Sequence, residues 1–405
     1  MIRCLLFLLA GSLALSSPAQ AETLWSAAQA ENLLRWIERA PGEGLTLPAE
    51  TAPHLRSAID AGDLERLDPI ADRSAQTLLQ AWRGRCCGPT RPNWWNIDGR
   101  MSDADLSAGL AQALLADRLD LYLRSIRPSH PHYAQLVEAL AAEDDPDSRA
   151  IIASNLARWR WLPSSLGERY LLVNIASQQL TLWDGGVVKG RWRVIVGKPN
   201  TRTPVFAAQI SGVVLNPWWE IPRSIAAEGI GSFVRRNPAA ARARGYVYEN
   251  GRYRQMPGDN NALGRMKLVM PNPYSVFLHD TSNRELFGKE RRFFSHGCIR
   301  VDRALSFAAT LLARDGWDLA RVEAEVAEGS TRTVSLTERL PLYVTYFTAE
   351  PSLSGGVRFW EDVYRRDSVR ISLSAESDST GHYGSSPLVA SYTLGADVGG
   401  EGCLS

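Results

Sequence analysis

The spacing of apolar positions changes near the middle of the chain. Between residues 22 and 165 apolar side chains recur every three or four positions, as at Leu106 and Leu110, which predicts helices. From Arg169 onward, apolar residues alternate with polar ones or form short runs between turn residues, which predicts strands. The sequence therefore predicts an α+β chain, with a helical domain over 22–165 and a mainly-β domain over 166–335.

Turn residues divide the second half of the chain into separate elements. The Asp184-Gly185-Gly186 sequence is a hairpin signal. Two apolar segments around a glycine turn, 340–347 and 356–364, predict a closing hairpin within 336–367. The other predicted elements are helices at 148–163 and 303–314 and strands at 170–175, 179–183, 190–197, 211–215 and 264–270.

One segment, 223–263, interrupts the strand pattern. Arginines and tyrosines alternate along 235–254. A charge run of this kind is usually a solvated face. A long insertion in a compact domain is commonly a lid or a binding loop, and guanidinium groups bind carboxylates. We expect a mobile lid without strands.

The two ends of the chain have their own composition. Residues 1–21 combine Arg3, an apolar run and a small-residue site at Ala19-Gln20-Ala21, which predicts a secretory signal peptide and a periplasmic protein. That run is too short to span a bilayer, and no later segment predicts a transmembrane helix. Residues 368–405 are rich in serine and glycine, which predicts a disordered tail.

Charge and cysteine content exclude some classes of protein. The formal net charge of +1 argues against a nucleic-acid-binding face. The cysteines are too few for a disulfide framework. The adjacent Cys86 and Cys87 lack metal-ligand spacing. They are expected to be thiols, a vicinal pair, or linked to Cys403, and the sequence does not choose among these.

The stretch 274–300 concentrates chemically active side chains. Alternation predicts that His279 lies at a strand end, and His296 precedes Cys298 by two positions with Gly297 between them. Glycine permits a sharp turn in which N–H groups converge beside the sulfur. A single cysteine or histidine is usually structural. Together, a thiol, an imidazole base and N–H donors meet the requirements of acyl transfer.

This stretch resembles the signature of the L,D-transpeptidases of bacterial cell walls, and especially of their larger, scaffold-bearing Gram-negative members. The signature is a histidine, a spacer, Ser/Thr-His-Gly-Cys, a hydrophobic residue, and Asn or Arg. It is matched here by His279, the spacer 280–294, Ser295-His296-Gly297-Cys298, Ile299 and Arg300. The resemblance extends from about residue 157 to about residue 367. It implies an L,D-transpeptidase catalytic domain, a helical scaffold domain, and a capping subdomain at 223–263.

The resemblance and the chemistry together assign catalytic roles. Cys298 is the expected nucleophile and His279 the expected general base. Asp280 is expected to orient the imidazole through its carbonyl or its side chain. The N–H groups of Gly297 and Cys298, with His296 beside them, are expected to hold the oxyanion.

The expected substrate contacts rest more on the resemblance. Trp218 and Trp219 resemble the family's cleft wall, and a proline-fixed corner with buried tryptophans is the alternative. Arg300 is expected to hold a stem carboxylate, with a salt bridge to Asp302 as the alternative. Ser295 is the remaining expected substrate contact. The implied partners are peptidoglycan stem peptides and, as inhibitors, carbapenems; no cofactor or metal is expected.

Other classes of function fit less well. Sortase-like enzymes take their arginine from a later strand, and papain-like peptidases place the cysteine before the histidine. A metal hydrolase using His279, Asp280 and His296 lacks a third histidine. A non-catalytic wall-binding protein requires an inert thiol. Within the transpeptidase class, 3→3 cross-linking, lipoprotein attachment, D-amino-acid exchange and hydrolysis share the same site.

Overall fold

The computed structural model of the protein describes residues 25–99, 101–352 and 354–367. The predicted signal peptide, the predicted tail and Cys403 lie outside these residues. The N-terminal half contains one short strand, β1 (Trp95–Asn96), and the helices α1 (Ala27–Arg39), α2 (Thr51–Ala61), α3 (Leu64–Trp82), α4 (Asp103–Leu115), α5 (Leu119–Ile126), α6 (Pro131–Ala142) and α7 (Pro146–Arg160).

Side-chain caps fix where several helices begin. Ser26 and Gln29 form a capping box at α1, and Ser102 and Asp105 form another at α4. Within the described ranges, every helix is too short or too polar to cross a bilayer.

The second half is mainly strands. Its helices are α8 (Arg223–Ile225), α9 (Gly231–Arg236), α10 (Pro238–Ala243), α11 (Ala304–Leu312) and α12 (Leu319–Ala327). Its strands are β2 (Arg169–Asn174), β3 (Gln179–Asp184), β4 (Val187–Gly197), β5 (Val205–Leu215), β6 (Trp219–Glu220), β7 (Tyr246–Glu249), β8 (Arg252–Gln255), β9 (Met266–Val269), β10 (Leu278–His279), β11 (Phe293–Ser295), β12 (Ile299–Val301), β13 (Arg332–Thr345), β14 (Ala349–Pro351) and β15 (Val357–Phe359). The predicted α+β class, helical first and mainly β second, is confirmed.

The main sheet closes on itself. Its strand order is β1-β5-β13-β2-β3-β4-β12-β10-β9, and β9 returns to pair with β5. The sheet therefore places the short strands β9, β10 and β12 side by side, and these strands carry the candidate catalytic residues.

The predicted closing hairpin needs correction. The segment 340–347 belongs to β13, which lies inside the main sheet, antiparallel to β5 and parallel to β2. Its side chains Leu342 and Val344 are fully buried, as expected for a central strand. The hairpin that does form here is small and joins β14 to β15.

Buried side chains divide the helical half into two parts. Helices α1 to α5 pack around a core of their own. The side chains of α6 and α7 instead join the core of the main sheet, where Tyr133, Ile152 and Leu156 are fully buried. Strand β1 pairs with β5 at the sheet edge, with Trp95 opposite Val205. The predicted boundary near residue 165 thus falls after two helices that pack on the sheet.

The loop before β1 contains the two adjacent cysteines. Cys86 and Cys87 are joined in a vicinal disulfide, which is one of the three alternatives that the sequence left open. Cys87 has a φ of 66°, and its carbonyl accepts a hydrogen bond from the N–H of Thr46. The loop is therefore fixed against the helical core.

Candidate active site

Three neighbouring strands bring three basic side chains into one row. In the parallel pair β10–β12, His279 lies opposite Arg300. In the antiparallel pair β10–β9, His279 lies opposite Lys267. Side chains that oppose each other across strands lie on the same face of a sheet. His279 is therefore flanked by Arg300 on one side and Lys267 on the other.

Cys298 lies at the end of this row. The N–H of Ile299 donates a 2.9 Å hydrogen bond to the carbonyl of Phe277 as part of the Leu278–Ile299 pair, and Cys298 directly precedes β12. Side chains alternate between faces along a strand, so Cys298 shares the face of Arg300 and His279, whereas Ile299 points into the core. Cys298 is a partly exposed thiol. The structure thus brings the predicted nucleophile, base and arginine together.

The imidazole of His279 is held by a backbone group. Its Nδ1 lies 2.5 Å from the carbonyl oxygen of Asp280. Since a carbonyl can only accept, Nδ1 carries the proton and Nε2 has the lone pair that can take one. Of the two predicted ways for Asp280 to orient the ring, the structure shows the carbonyl.

The side chain of Asp280 has different partners. Its carboxylate accepts a 2.8 Å hydrogen bond from the N–H of Arg265 and pairs with Arg284 at 2.7 Å. Gly264 has a φ of +62°, and a Cβ there would lie 2.4 Å from this carboxylate. Asp280 therefore fixes the loop that precedes β9 while its backbone fixes the imidazole.

Burial and charge keep His279 neutral. The side chain is 5% exposed. Burial, followed by the positive charge of Arg300, lowers the pKa of His279 to about 4, and Lys267 adds to this lowering. At neutral pH the imidazole is therefore a base and not an imidazolium. Burial also lowers the pKa of Arg300 and of Lys267.

The hydroxyl of Ser295 shapes the turn before Cys298. The hydroxyl of Ser295 donates to the carbonyl of Cys298 at 2.6 Å and accepts from the N–H of Gly297 at 3.1 Å. Gly297 has a φ of +113°, which L side chains rarely adopt. Ser295 is 2% exposed, so it supports the turn from inside and is not placed as the predicted substrate contact.

The same hydrogen bond bears on the predicted oxyanion hole. The N–H of Gly297 donates to Ser295 in this structure. An oxyanion could use this N–H only after that bond is exchanged or shared. The assignment of the Gly297 and Cys298 N–H groups stays a prediction.

Two residues distant from the motif in sequence, Thr203 and Tyr364, support this turn. Thr203 is fully buried, and its hydroxyl donates to the carbonyl of Gly297 at 2.8 Å. The Tyr364 hydroxyl donates to the carbonyl of Gly197 at 2.6 Å and accepts from the N–H of Thr203 at 3.1 Å. The sequence reasoning missed both supports. Isolated threonines and tyrosines give no signal of such contacts.

We call residues 223–263 the capping segment. It contains α8, α9 and α10, followed by the β7–β8 hairpin, which joins β6 in a three-stranded sheet. The expectation of a segment without strands was wrong. The signal that could have corrected it is Asn250-Gly251, a favoured two-residue hairpin turn, in which both residues have positive φ.

The capping segment contacts the nucleophile motif and the predicted cleft wall. His296, predicted beside the oxyanion, has its Nε2 3.2 Å from Glu228. Trp218 and Trp219 are partly buried. The guanidinium of Arg254 lies 4.2 Å from the centre of the Trp218 ring. Trp219 is paired with Gln255 between β6 and β8. The tryptophans therefore connect the main sheet to the capping segment.

Two further placements concern charged residues. Asp302, the alternative partner of Arg300, pairs with Arg193 at 2.7 Å.

Lys267 was not predicted as a site residue. The alternation of 264–270 nevertheless places its side chain on the other face of the strand from the buried Met266 and Leu268. The described part of the chain contains no group of three or more His, Cys, Asp or Glu side chains placed to hold a metal ion.

Comparison with known families agrees with this architecture. Residues 168–330 match the family model described as the L,D-transpeptidase catalytic domain (YkuD), and residues 18–140 match the model described as the scaffold domain. A Haemophilus influenzae protein named "Putative L,D-transpeptidase" is 28% identical over 271 residues, which cover 61% of this chain and 55% of that protein. The chain thus spans about half the length of this curated relative.

Solved structures give a weaker likeness. An L,D-transpeptidase from Mycobacterium smegmatis is 14% identical, with a TM-score of 0.24 over 44% of this chain and 58% of that one. L,D-transpeptidase 3 from Mycobacterium tuberculosis, in complex with a faropenem-derived adduct, is 13% identical, with a TM-score of 0.24 over 44% and 60%. Scores at this level carry no argument about the site. The two family matches, however, identify residues 168–330 as an L,D-transpeptidase catalytic domain, preceded by a scaffold domain at residues 18–140.

Proposed function

We propose that the protein is a cysteine L,D-transpeptidase that acts on peptidoglycan tetrapeptide stems and forms 3→3 cross-links between diaminopimelate residues. The observation that carries the proposal is the register of β10 and β12, which pairs His279 with Arg300 and places Cys298 directly before the paired residue Ile299. At this site the thiol is accompanied by a neutral imidazole whose Nε2 can accept a proton.

The first half-reaction is acylation of the sulfur. The thiol proton passes to Nε2 of His279, and the sulfur of Cys298 attacks the carbonyl at the L-centre of diaminopimelate. A carbon–sulfur bond forms, and the carbon–nitrogen bond to the terminal D-alanine breaks. The proton on His279 moves to the departing amine. The low basicity of the buried imidazole favours this second transfer.

The second half-reaction reverses the proton flow. The side-chain amine of a diaminopimelate in another stem attacks the thioester and gives a proton to His279. The new amide bond forms, the carbon–sulfur bond breaks, and the thiolate takes the proton back. The guanidinium of Arg300 lies on the same face and is suited to hold a stem carboxylate during both steps.

The proposal includes the compartment in which the enzyme acts and the inhibitors that acylate it. Residues 1–21 direct export to the periplasm, where peptidoglycan stems are accessible. Carbapenems are proposed to acylate Cys298. Among the solved structural neighbours, one carries a faropenem-derived adduct and another is in complex with imipenem.

The test uses the mature chain with a purified disaccharide-tetrapeptide. Mass spectrometry of the intact protein should show a covalent acyl-enzyme on wild type and none on Cys298→Ala. Product analysis then distinguishes the acceptors. A dimer joined through two diaminopimelate residues supports cross-linking, a tripeptide alone indicates hydrolysis, and a stem with an added D-amino acid indicates exchange.

A matched inhibitor experiment checks the nucleophile independently. A carbapenem adduct should form on wild type and be absent from Cys298→Ala, with both proteins equally folded by circular dichroism. An adduct that persists on Cys298→Ala would place the nucleophile elsewhere.

A further inference from the structure

Lys267 is a charged residue on the active-site face that the proposed mechanism does not use. It lies opposite His279 across β9 and β10, and Arg300 lies opposite His279 across β10 and β12. Two cationic side chains therefore flank a buried imidazole in one row. Like charges so close together on a sheet are destabilising, so a negative charge nearby would stabilise this row.

The position of the ammonium indicates where that charge lies. The Nζ of Lys267 is 4.4 Å from the centre of the Phe277 ring. The carbonyl of Phe277 accepts the hydrogen bond of the Ile299 N–H, so Phe277 lies beside the backbone that carries Cys298, the residue directly before Ile299. The side chain of Lys267 thus extends along the row to the end where the sulfur lies.

The electrostatics of the site agree with this placement. Burial lowers the pKa of Lys267 and of Arg300, and in both cases a negative charge on Cys298 opposes the lowering. Further charged or titratable groups lie around this row. They are His279 on β10, Glu220 on β6 beside Lys267, Glu285 beside Arg300, and the His296–Glu228 pair.

We propose that Lys267 is a positioning residue that, together with Arg300, stabilises negative charge on the sulfur of Cys298 and keeps His279 neutral. The inference rests on the proposed function only in taking Cys298 as the nucleophile. One positive charge then has two effects: it favours the thiolate over the thiol, and it disfavours imidazolium over imidazole.

The test measures alkylation of Cys298 by iodoacetamide as a function of pH, with the modified peptide quantified by mass spectrometry. Replacing Lys267 with Met removes the positive charge, so the pH midpoint of alkylation should rise by about one unit. Below the midpoint, a shift of one unit makes the reaction about tenfold slower at a given pH. Lys267→Arg keeps the charge and should restore the wild-type midpoint.

The control is Lys189→Met, which removes an exposed lysine at the far end of β4 and should leave the midpoint unchanged. Lys267→Gln provides a second neutral variant if the Met variant folds poorly. A midpoint equal to that of wild type in a folded neutral variant would overturn the proposal. The assay contains no peptidoglycan, so its outcome is separate from a failure of the transpeptidase assignment.

Discussion

The Oε2 atom of Glu228 lies 3.2 Å from Nε2 of His296, so the capping segment contacts the residue two positions before Cys298. Both side chains are partly exposed, at 56% and 35%. Even a fully charged pair in such an exposed setting contributes only about 0–1 kcal/mol. Gly229, directly after Glu228, breaks the helical course with a φ of 143°. The contact is therefore weak enough to open and close.

Loss of this contact should loosen the capping segment. In Glu228→Ala we expect faster hydrogen exchange across 226–236, while the free energy of unfolding changes by less than about 1 kcal/mol. The control is Glu249→Ala, which removes an exposed carboxylate from β7 that contacts Arg254 at 3.7 Å. Equal exchange in Glu228→Ala and wild type would mean that the pair does not hold the segment.

The exposed arginines of the capping segment should matter for the peptide substrate. Replacing Arg235, Arg236, Arg242 and Arg244, which are all exposed, with Gln removes charges that suit stem carboxylates. We expect a higher KM for a muropeptide donor and unaltered alkylation of Cys298 by iodoacetamide. Steady-state kinetics with both reagents check this.

A matched control removes four exposed arginines from the helical half: Arg35, Arg66, Arg73 and Arg118. It should leave the donor KM unchanged. If both quadruple variants behave like wild type, the arginines of the capping segment are a solvated face.

The local sequence patterns predicted where strands lie better than they predicted which strands pair with each other. The alternation around Gly185 and the apolar run before His279 correctly indicated strands β3, β4 and β10. They could not indicate that β13 lies between β5 and β2, because its partners are distant in sequence. Lys267 shows the same limit. The alternation shows which face of the strand the Lys267 side chain lies on, but only the strand register shows that it lies next to His279.

The sequence indicated which candidate groups lie together, but it did not indicate the side chains that support them. A histidine and a Ser-His-Gly-Cys sequence indicate candidate reacting groups whatever the fold. The bond from Thr203 to Gly297 and the inward position of Ser295 depend on packing between separate segments. Such supports give no periodic signal in the sequence.

The two histidines of the motif should differ in their effect on acylation. His279→Ala removes the proposed base and should lower the acylation rate by about 10²–10⁴-fold. His296→Ala should cost less, because its side chain is partly exposed and contacts Glu228. Stopped-flow acylation by a carbapenem measures both. If His296→Ala is the more damaging change, the two roles are reversed.

The pH dependence of acylation should reflect the lowered pKa of His279. The base must be neutral to accept a proton, and burial with the charge of Arg300 lowers its pKa from 6.5 to about 4. Activity should therefore be lost only as the pH falls through about 4. A profile of kcat/KM against pH checks this, and an acid limb near 6.5 would contradict it. In Arg300→Met the limb should move to higher pH.

A buried ion pair attaches the C-terminal segment to helix α7. Arg158 and Asp367 form an ion pair of 2.5 Å, with both side chains only 2% exposed. Arg158 also donates to the hydroxyl of Thr348 at 3.0 Å. Removing one partner leaves a buried charge uncompensated, which typically costs about 3–5 kcal/mol. We expect a loss of this size in Asp367→Asn, measured by urea unfolding.

Glu361→Gln is the matched control for this change, because it breaks an exposed pair with Arg291 in the same segment. Exposed pairs contribute at most about 1 kcal/mol, so its unfolding midpoint should stay close to that of wild type. Tyr364, which lies between Glu361 and Asp367, bonds to the loop under the nucleophile turn. Asp367→Asn should therefore also slow alkylation of Cys298, whereas Glu361→Gln should not. Equal unfolding free energies in the two variants would show that the buried pair does not anchor the segment.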